Sequence, residues 1–328
     1  MLPQKPLLVI LVSLIDQVPL PAPPKKRGRG RPKVYPDVLI VKALVIMIIR
    51  RLYTAYSLLA FLEQNTALTQ ELRGLLTDEK GRFPTRRTWE RRLAALPDSL
   101  PGLIGAFGRY LVMLIQPWAK CGRAAAVDST ALRANGGVWH KKHREAGIVP
   151  HTSIDTEAQW SKSGHHGWWY GWKLHLACTV AAVWIPLAAR LTPANVHDSQ
   201  PAPALITELP LETRFVLGDN HYNTPEVRDH CHLSDRSLVA SGRAPYPHTD
   251  AGVEVRRIFH RLRHQAIEPF NGLFKNVFEW GGQVPVKGER RTQLIVLGAV
   301  FLYQLVLFYQ FQHHLPLGKG IKPLLRAA

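Results

Sequence analysis

Apolar residues recur at helical spacing near the beginning of the chain. The segment from Asp37 to Glu63 has this pattern, and Asp37 is placed to cap its start. A second, basic helix is predicted after Pro84, because Thr85 is a favourable cap and arginines crowd the following turns. We therefore expect an all-helical region over residues 37–116.

After Pro117 the pattern changes to short apolar runs bounded by Gly, Pro and Asn, which is typical of strands. A polar stretch over residues 135–167 is predicted to be a long loop. Strands followed by alternating helices and strands predict an α/β fold with a mixed sheet. The expected strands are Ala124–Val127, Lys173–Val180, Trp184–Leu191 and Phe215–Leu217, and the expected helices are Gln200–Leu209, Pro225–Leu233 and a segment from Arg261 onward.

Two apolar stretches, Leu7–Ile15 and Leu294–Phe308, are candidate targeting or membrane segments. The first lacks a convincing small-residue cleavage site and precedes a basic tract. The second is near the lower length limit for a spanning helix and is interrupted by Gln304. We interpret it as a buried closing helix and expect no membrane partner.

Lys and Arg number 42 against 24 Asp and Glu, a formal net charge of +18. This balance favours a polyanionic partner such as nucleic acid, although basic membrane-surface and ribosome-associated proteins share it. The three cysteines indicate a reducing compartment rather than a disulfide framework. A zinc interpretation of residues 229–232 lacks a second ligand pair.

Residues 19–33 pass from a proline-rich run to a basic tract and cannot build a core. Arg29, Gly30, Arg31, Pro32 and Lys33 resemble an AT-hook, whose extended Arg-Gly-Arg element fits a narrow minor groove. A generic basic linker is the alternative. We predict four segments: a flexible arm over 1–36, the helical region over 37–116, an α/β domain over 117–312 and a basic tail over 313–328.

Two aspartates each follow a predicted strand. Asp128 comes after Ala-Ala-Ala-Val and Asp219 after Phe-Val-Leu-Gly, which places both at the carboxyl ends of strands, where α/β sheets have their sites. A single such Asp is more often a turn former or a cap. These two residues therefore need a third element to indicate a site.

The third element is the helical segment from Arg261 to Lys275. Arg261, His264, Glu268 and Lys275 differ by three, four and seven positions and so share one helical face. Apolar residues are expected to face the core, namely Ile267, Phe270, Phe274 and Val277. A solvated helix with surface ion pairs is the alternative interpretation.

Five short blocks occur in order between residues 120 and 310: Asp128-Ser-Thr, Gly171 to His175, Thr192 to Ser199, Gly218 to Thr224 and Ile267 to Lys275. Together they resemble DDE transposases of bacterial insertion sequences. The resemblance implies an RNase H-like fold in which Asp128, Asp219 and Glu268 bind two Mg²⁺ or Mn²⁺ ions. Hard cations prefer such carboxylate oxygens.

The resemblance also implies an activity and partners. Water attacks at the transposon end, and the freed 3′-hydroxyl then attacks target DNA, with Asp128 bridging both ions. The implied partner is double-stranded DNA, bound by a homodimer in the cytoplasm and nucleoid. Residues expected to contact DNA are the AT-hook-like tract, Arg86, Arg87, Arg91, Arg92, Lys173, His264 and Lys275, and supporting roles fall to His197, Asp198 and Tyr222.

The chain departs from one family pattern, Tyr-two-Arg-three-Glu-six-Lys. Counting back from Glu268, Arg261 stands where Tyr is expected and His264 where Arg is expected, while Arg263 is one position off. Pro269 is unfavourable inside a helix. Glu279 is the next candidate for the third acid, but it lacks the surrounding pattern.

Three questions stay open at this stage. The aromatic residues Trp168, Trp169, Tyr170 and Trp172 either stack on an unpaired base or pack in the core of a strand. Asp198 either orients the site or caps the helix that follows. The alternative functions are a DNA-binding repressor without activity and a metal-dependent nuclease that cuts without joining.

Overall fold

The computed structural model describes residues 5–21, 35–115, 123–164, 167–240 and 250–328, with the backbone alone for residues 250–256 and 259. Packing divides the chain into two compact units, residues 1–107 with 293–328, and residues 108–292. In chain order the helices and strands are α1 (Leu7–Leu14), α2 (Asp37–Ile49), α3 (Ala55–Leu62), α4 (Ala67–Leu75), α5 (Arg86–Ala95), α6 (Leu100–Ile115), β1 (Ala124–Arg133), α7 (Lys141–Glu145), β2 (Gln159–Ser163), β3 (Gly167–Thr179), β4 (Pro186–Pro193), α8 (Ala202–Glu208), β5 (Phe215–Gly218), α9 (Pro225–Leu233), β6 (Ser237–Ala240), α10 (Asp250–Val277), α11 (Glu289–Gln312) and α12 (Ile321–Ala327).

The first unit is helical. Helix α2 is apolar on all sides and buries every residue from Leu39 to Ile48, as a central helix must. Helix α5 begins after Thr85, whose hydroxyl accepts the backbone N–H of Thr88, so the cap predicted there is confirmed. The single helix predicted from Asp37 to Glu63 is two helices, because Arg51 turns the backbone to a positive φ of 56°.

Helix α11 provides the other central element of this unit. Gly298 permits close packing on α2, since a Cβ there would lie 2.7 Å from Cδ2 of Leu44. The amide of Gln304 donates to the carbonyl of Ile104 at 2.8 Å. The packing therefore assigns residues 293–328 to the helical unit, whereas the sequence pattern groups residues up to 312 with the α/β region.

Helix α11 is also long and apolar enough to cross a membrane. Residues Arg86–Asp98 and Leu100–Ile115, taken together as one bent segment, are long and apolar enough as well, but the two helices meet at an angle of 64°. However, 89% of the apolar window of α11 is buried inside the molecule. Such burial is typical of the core helix of a globular protein, and the interpretation of this stretch as a buried helix accounts for it.

The predicted N-terminal arm contains helix α1. Its side chains at Leu8, Leu11 and Val12 are fully buried, because the helix packs against α2 and α4. Just after α1, Asp16 forms an ion pair with Lys42, a buried lysine of α2, and the distance from its Oδ2 to Nζ of Lys42 is 2.8 Å. The basic part of the arm, including the AT-hook-like residues 29–33, lies outside the described residues.

The second unit is built on one six-stranded mixed sheet. The strand order is β2-β3-β1-β5-β6, and β4 also pairs with β3. Strand β3 is antiparallel to β1, β2 and β4, while β5 and β6 extend the sheet in parallel from the other side of β1. With helices packed on the sheet, this is the mixed α/β architecture of the RNase H type, and the predicted fold class is confirmed.

The long loop predicted over residues 135–167 contains a short helix, α7, and a strand, β2, which pairs with the first part of β3. Its end is held in place by buried Asp155, whose carboxylate accepts the backbone N–H of Gly288 at 3.0 Å. Tyr170 donates to the carbonyl of Asp155 at 2.6 Å. The predicted loop is therefore an ordered insertion between β1 and β3 in the described residues.

Helix α10 spans the segment in which the third acid was predicted. Its apolar positions Ile267, Phe270, Phe274 and Val277 are all buried, so the predicted core face is confirmed. The helix continues through Pro269, although this residue donates no backbone hydrogen bond. The helix packs on β1, β3, β5 and β6 and so lies across one face of the sheet.

Candidate functional site

Asp128 and Asp219 meet at one edge of the sheet. Asp128 lies within β1, and Asp219 follows β5 directly. The two strands pair in parallel with Ala126 beside Leu217, so the same register two residues further on sets Asp128 beside Asp219. The Asp219 carboxylate accepts the backbone N–H of His221 at 2.8 Å, which fixes its orientation at the end of the strand.

Helix α10 brings three polar side chains to this edge. They are Arg263, Glu268 and Asn271, of which Arg263 and Asn271 are buried and Glu268 is exposed. Asn271 donates to Oδ2 of Asp128 at 3.2 Å. Glu279, the alternative third acid, follows the end of α10 and is exposed. The helix therefore adds one acid, one cation and one amide to the two aspartates.

The three acids surround the guanidinium of Arg263. Its Nη2 lies 3.3 Å from Oδ1 of Asp128 and 3.9 Å from Oδ2 of Asp219, and its Nη1 lies 3.3 Å from Oε1 of Glu268. The second oxygen of Glu268 is 2.7 Å from Nδ1 of His264. The structure thus brings together the three sequence-predicted acids around one arginine.

The surroundings of Asp128 raise the pKa of its carboxyl above the usual range. Burial raises the pKa of this carboxyl to about 6, against the opposing effect of the Arg263 guanidinium, and the neighbouring Asp219 raises it further. The side chain of Asp128 is 16% exposed, compared with 29% for Asp219 and 45% for Glu268. Asp128 is therefore the innermost acid of the group.

These donors suit a hard divalent cation in their chemistry, since carboxylate and amide oxygens are the ligands that Mg²⁺ and Mn²⁺ prefer. Within the residues that the structure describes, no three His, Cys, Asp or Glu side chains are close enough together to hold a metal ion as they stand. The physical reason at this edge is that Arg263 lies between the acids. The donor set fits the metal, and the Arg263 guanidinium occupies the space among its members.

Tyr222 lies beneath the acids. Gly218 lets the ring approach, because a Cβ on this glycine would lie 2.9 Å from Cβ of Tyr222. Burial raises the pKa of the phenol well above its usual range, and the charges of Asp128, Asp198 and Asp219 raise it further. The phenol therefore stays neutral, so it can donate a hydrogen bond but cannot act as a base.

A second group of polar side chains lies on β3 and after β4. Nζ of Lys173 donates to Asp198 at 2.8 Å and to the carbonyl of Val196 at 3.0 Å. Helix α8 begins at Ala202 with no side-chain cap, so the alternative that Asp198 caps this helix is wrong. Lys173, predicted to contact DNA, is occupied by this ion pair in the structure.

His175 lies fully buried behind that ion pair. Its Nε2 shares a hydrogen bond of 2.9 Å with Thr192, and its Nδ1 is 3.9 Å from Asp198. Burial lowers the pKa of this imidazole to about 4, which Asp198 opposes and Lys173 reinforces. His175 is therefore neutral at physiological pH.

The buried imidazole predicts a pH dependence of stability. Because the pKa of His175 is about 4 in the folded protein and 6.5 in the unfolded chain, the unfolded chain binds the proton first as the pH falls. This contribution to stability is complete above pH ~6.5 and is lost towards pH ~4, by about 3 kcal/mol. We expect His175→Gln to flatten the acid-side fall in thermal midpoint. The exposed control His232→Gln should keep the wild-type slope, and an unchanged slope in H175Q would contradict the assignment.

Lys275 of α10, which also carries Glu268, lines a cavity of about 120 Å³. Arg133 provides a second cation, and Trp169 and Trp280 provide aromatic walls. Burial lowers the pKa of Lys275, while the charge of Asp128 raises it. The cavity therefore combines two cations with two indoles, which suits a phosphate and the nucleotide that carries it.

The aromatic cluster on β3 divides between the two interpretations made from the sequence. Trp169, Tyr170 and Trp172 are buried, as residues of a strand core. Trp168 is 66% exposed, and the ammonium of Lys162 lies 5.7 Å from its ring. Among these four residues, the indole of Trp168 is available as a stacking surface without rearrangement. Trp169 offers no more than the part that lines the cavity.

The arginines of α5 do not form one equivalent set. Arg87 and Arg91 are exposed, and Arg86 pairs with Glu90 at 2.8 Å. Arg92 is buried, pairs with Asp37 and donates to the carbonyl of Tyr35 at 2.7 Å. The structure therefore gives Arg92 an internal role within the helical unit.

Of the remaining predicted site residues, the structure describes His197 and His264. His197 is exposed and shares a hydrogen bond of 2.8 Å with Ser199, and its ring is 5.6 Å from that of His221. His264 lies beside Glu268, at the rim. The AT-hook-like residues are not among those that the structure describes.

Sequence reasoning did not assign Arg263 or Asn271 to the site. Both lie on the apolar face of α10, together with Ile267, Phe270 and Phe274. A polar residue at a core position of a helix must find a polar partner, because burial without one is costly. Their place in the apolar repeat is therefore the signal that could have identified them.

The comparisons with known proteins identify the family. A model of the transposase DDE domain matches residues 119–305. A solved piggyBac transposase synaptic complex with hairpin DNA aligns with 96% of this chain and 74% of its own, at 9% identity and a TM-score of 0.38. A Mos1 transposase paired-end complex with the left transposon end aligns with 82% of this chain and 77% of its own, at 16% identity and a TM-score of 0.23. No curated protein sequence matches the chain.

Both TM-scores are low, so the identification depends on the family model. The matched segment is more than half of the chain and contains all six strands and all three acids. The chain therefore belongs to the family defined by the transposase DDE domain.

Proposed function

We propose that this transposase cuts DNA at the ends of a mobile element and joins those ends to target DNA, with Asp128, Asp219 and Glu268 as its catalytic acids. The observation that carries the proposal is the convergence of these carboxylates on a single point, occupied by Arg263. They come from β1, the end of β5 and α10, segments far apart in sequence. Convergence of this kind is the expected arrangement of a phosphoryl-transfer site.

The same acids are proposed to hold two Mg²⁺ or Mn²⁺ ions. When bound, such ions activate the attacking oxygen and stabilise the leaving oxygen of the phosphodiester. Asp128, the innermost acid, would be one of the ligands, and Asn271 donates to its second oxygen and so orients it. The backbone N–H of His221 donates to Asp219, and the ring of His264 contacts Glu268, so each of these acids is oriented by a neighbour of its own.

We propose that the cavity containing Lys275 holds the nucleotide next to the cleaved bond. Lys275 and Arg133 would bind its phosphates, and the indoles of Trp169 and Trp280 would contact its base or sugar. The exposed Trp168 adds a stacking surface on the same strand. Lys173 and Asp198 are proposed to position β3 and its following loop, since their ion pair is internal.

DNA binding outside the site is proposed to use basic surfaces. The net charge of +18 supports a polyanionic partner. Arg86, Arg87 and Arg91 on α5 would contact phosphates of the terminal repeats, and the tract at residues 29–33 would enter a minor groove. We further propose a homodimer on two element ends, acting in the cytoplasm at the nucleoid.

Substitutions at Arg87 and Arg91, two exposed arginines of α5, should cause a different defect from a substitution at buried Arg92. Arg87→Gln with Arg91→Gln should weaken DNA binding and reduce the slope of log affinity against log salt by about 2, one unit for each lost phosphate contact. Arg92→Gln should leave that slope unchanged and cost about 2 kcal/mol of stability, since the ion pair of the buried guanidinium with Asp37 is lost. Fluorescence anisotropy at several salt concentrations and thermal melting measure the two effects. A wild-type slope in the double variant would remove α5 from the DNA interface.

The overall test is an assay with labelled duplexes that carry the ends of the element flanking the gene, incubated with Mg²⁺ and a supercoiled target plasmid. Cleavage at the end together with label joined to the plasmid supports the proposal. Cleavage without joining favours the nuclease alternative, which shares the same acids. Binding without cleavage favours the repressor alternative and ends the enzymatic assignment.

A further inference from the structure

Arg263 is the most enclosed charged group of the site. Its side chain is 6% exposed, and its Nε is buried with no hydrogen-bond partner among the described residues. It reaches the site from the core face of α10, one turn before Glu268. A buried arginine at this position is tolerated only because the acids around it compensate its charge.

The guanidinium is shared among the acids instead of being bound tightly by one of them. Its closest approaches to Asp128 and Glu268 are both 3.3 Å, and that to Asp219 is 3.9 Å. A bidentate arginine–carboxylate pair is shorter, near 2.8 Å on both arms. The geometry is therefore that of a cation at the centre of an acidic cage.

The acids need such a cation when no metal is bound. Three carboxylates facing one another repel strongly in a partly buried site, and one guanidinium offsets part of that repulsion. A divalent ion needs the same oxygens at about 2.0–2.1 Å. The guanidinium and the metal therefore require the same space and the same partners.

We propose that Arg263 is a built-in counter-ion, which holds the three acids together before metal binds and which metal must displace. The inference rests on the proposed function and concerns the regulation of its metal site. It makes the metal affinity of the free protein lower than the acids alone would give. Metal loading then requires a movement of the Arg263 side chain out of the cage.

The opposite role is a distinct prediction. If Arg263 instead orients the acids for metal binding, its removal should weaken metal binding, because the acids would spread apart. Competition and orientation therefore differ in the sign of the change in metal affinity, and a binding measurement separates them without any cleavage assay.

The experiment is a calorimetric titration of the full chain with Mn²⁺ at constant neutral pH and without DNA. We expect Arg263→Gln to bind Mn²⁺ at least about tenfold more tightly than the wild type, because a like charge is removed from the metal's position. Arg263→Lys keeps a charge, but a compact ammonium cannot reach all three acids, so binding should tighten about threefold. Arg261→Gln on an exposed position of the same helix is the matched control, with affinity within about twofold of the wild type.

Each variant can decide the question alone if the other does not fold. Equal or weaker Mn²⁺ binding in a folded Arg263 variant overturns the counter-ion role. Asp219→Asn shows whether the measured binding belongs to the acids. If the wild type and D219N bind Mn²⁺ equally, the proposed metal site fails. If binding depends on Asp219 but does not tighten without Arg263, only the counter-ion inference fails.

Discussion

Replacing Asp219 with asparagine is expected to lower Mg²⁺-dependent cleavage of element-end DNA by at least about 10³-fold, because a metal site that loses one charged ligand loses several kcal/mol of transition-state stabilisation. The substitution keeps the size of the side chain. Its amide oxygen can still accept the backbone N–H of His221, so the end of β5 should keep its conformation. Cleavage of labelled duplexes and thermal melting measure the two properties.

DNA affinity should remain within about twofold in this variant, since the proposed phosphate contacts lie elsewhere. Asp229→Asn is the matched control, because Asp229 is an exposed aspartate on α9 in the same unit. It should cleave as the wild type does. Residual cleavage near the wild-type rate in D219N would exclude Asp219 from the catalytic acids, provided that both proteins melt at the same temperature.

Gly171→Ala is expected to destabilise the protein by about 3 kcal/mol, a fall in thermal midpoint of roughly 6–12 °C for a unit of this size. Gly171 is buried on β3, opposite Arg133 of β1. A Cβ at this position would collide with the carbonyl oxygen of Leu132 and lie 2.8 Å from N of Ala134. These are backbone atoms, so the strands must separate to admit the methyl group.

The control for this prediction is the same substitution on α10. Gly272→Ala places a methyl group where no heavy atom lies within 4 Å. Alanine favours the helix over glycine, so this variant should gain about 0.5–1 kcal/mol. Thermal melting should therefore give opposite signs for the two variants. A G171A protein as stable as the wild type would show that β1 and β3 are further apart than described.

Much of the fold follows from apolar spacing. Helix α9 and the core face of α10 lie where the sequence predicts them, because burial of an apolar stripe decides their conformation. Strand β1 begins at Ala124 as predicted but extends past the predicted end, Val127, to Arg133. Strand β2 was not predicted. Its sequence, Gln159–Ser163, is polar, and it is a strand because it pairs with the edge of β3, a long-range interaction that a local pattern does not contain.

The candidate site was predictable only in part, for a similar reason. An acid after an apolar run has a local signature, which pointed to both Asp128 and Asp219; Asp219 does end β5, whereas Asp128 lies within β1, because pairing with β3 carries that strand on to Arg133. The role of an arginine depends on whether it faces solvent, and charge runs do not reveal this. Arg92 looked like a DNA contact and is an internal ion pair, whereas Arg263 looked like a misplaced motif residue and lies among the acids.

The helical unit takes its core from segments that are synthesised far apart in time. Gln304 and Ile104, which share a hydrogen bond in this core, are separated by 200 residues. At the usual speed of translation, about 5–20 residues per second, on the order of 10–40 seconds pass between them. During this interval the apolar surface of α2 around Leu44 lacks the helix that covers it. The strands that the structure describes in the α/β unit are all complete by Ala240, so that unit can fold first. Nascent chains that stop before α11 should therefore depend on chaperones or aggregate.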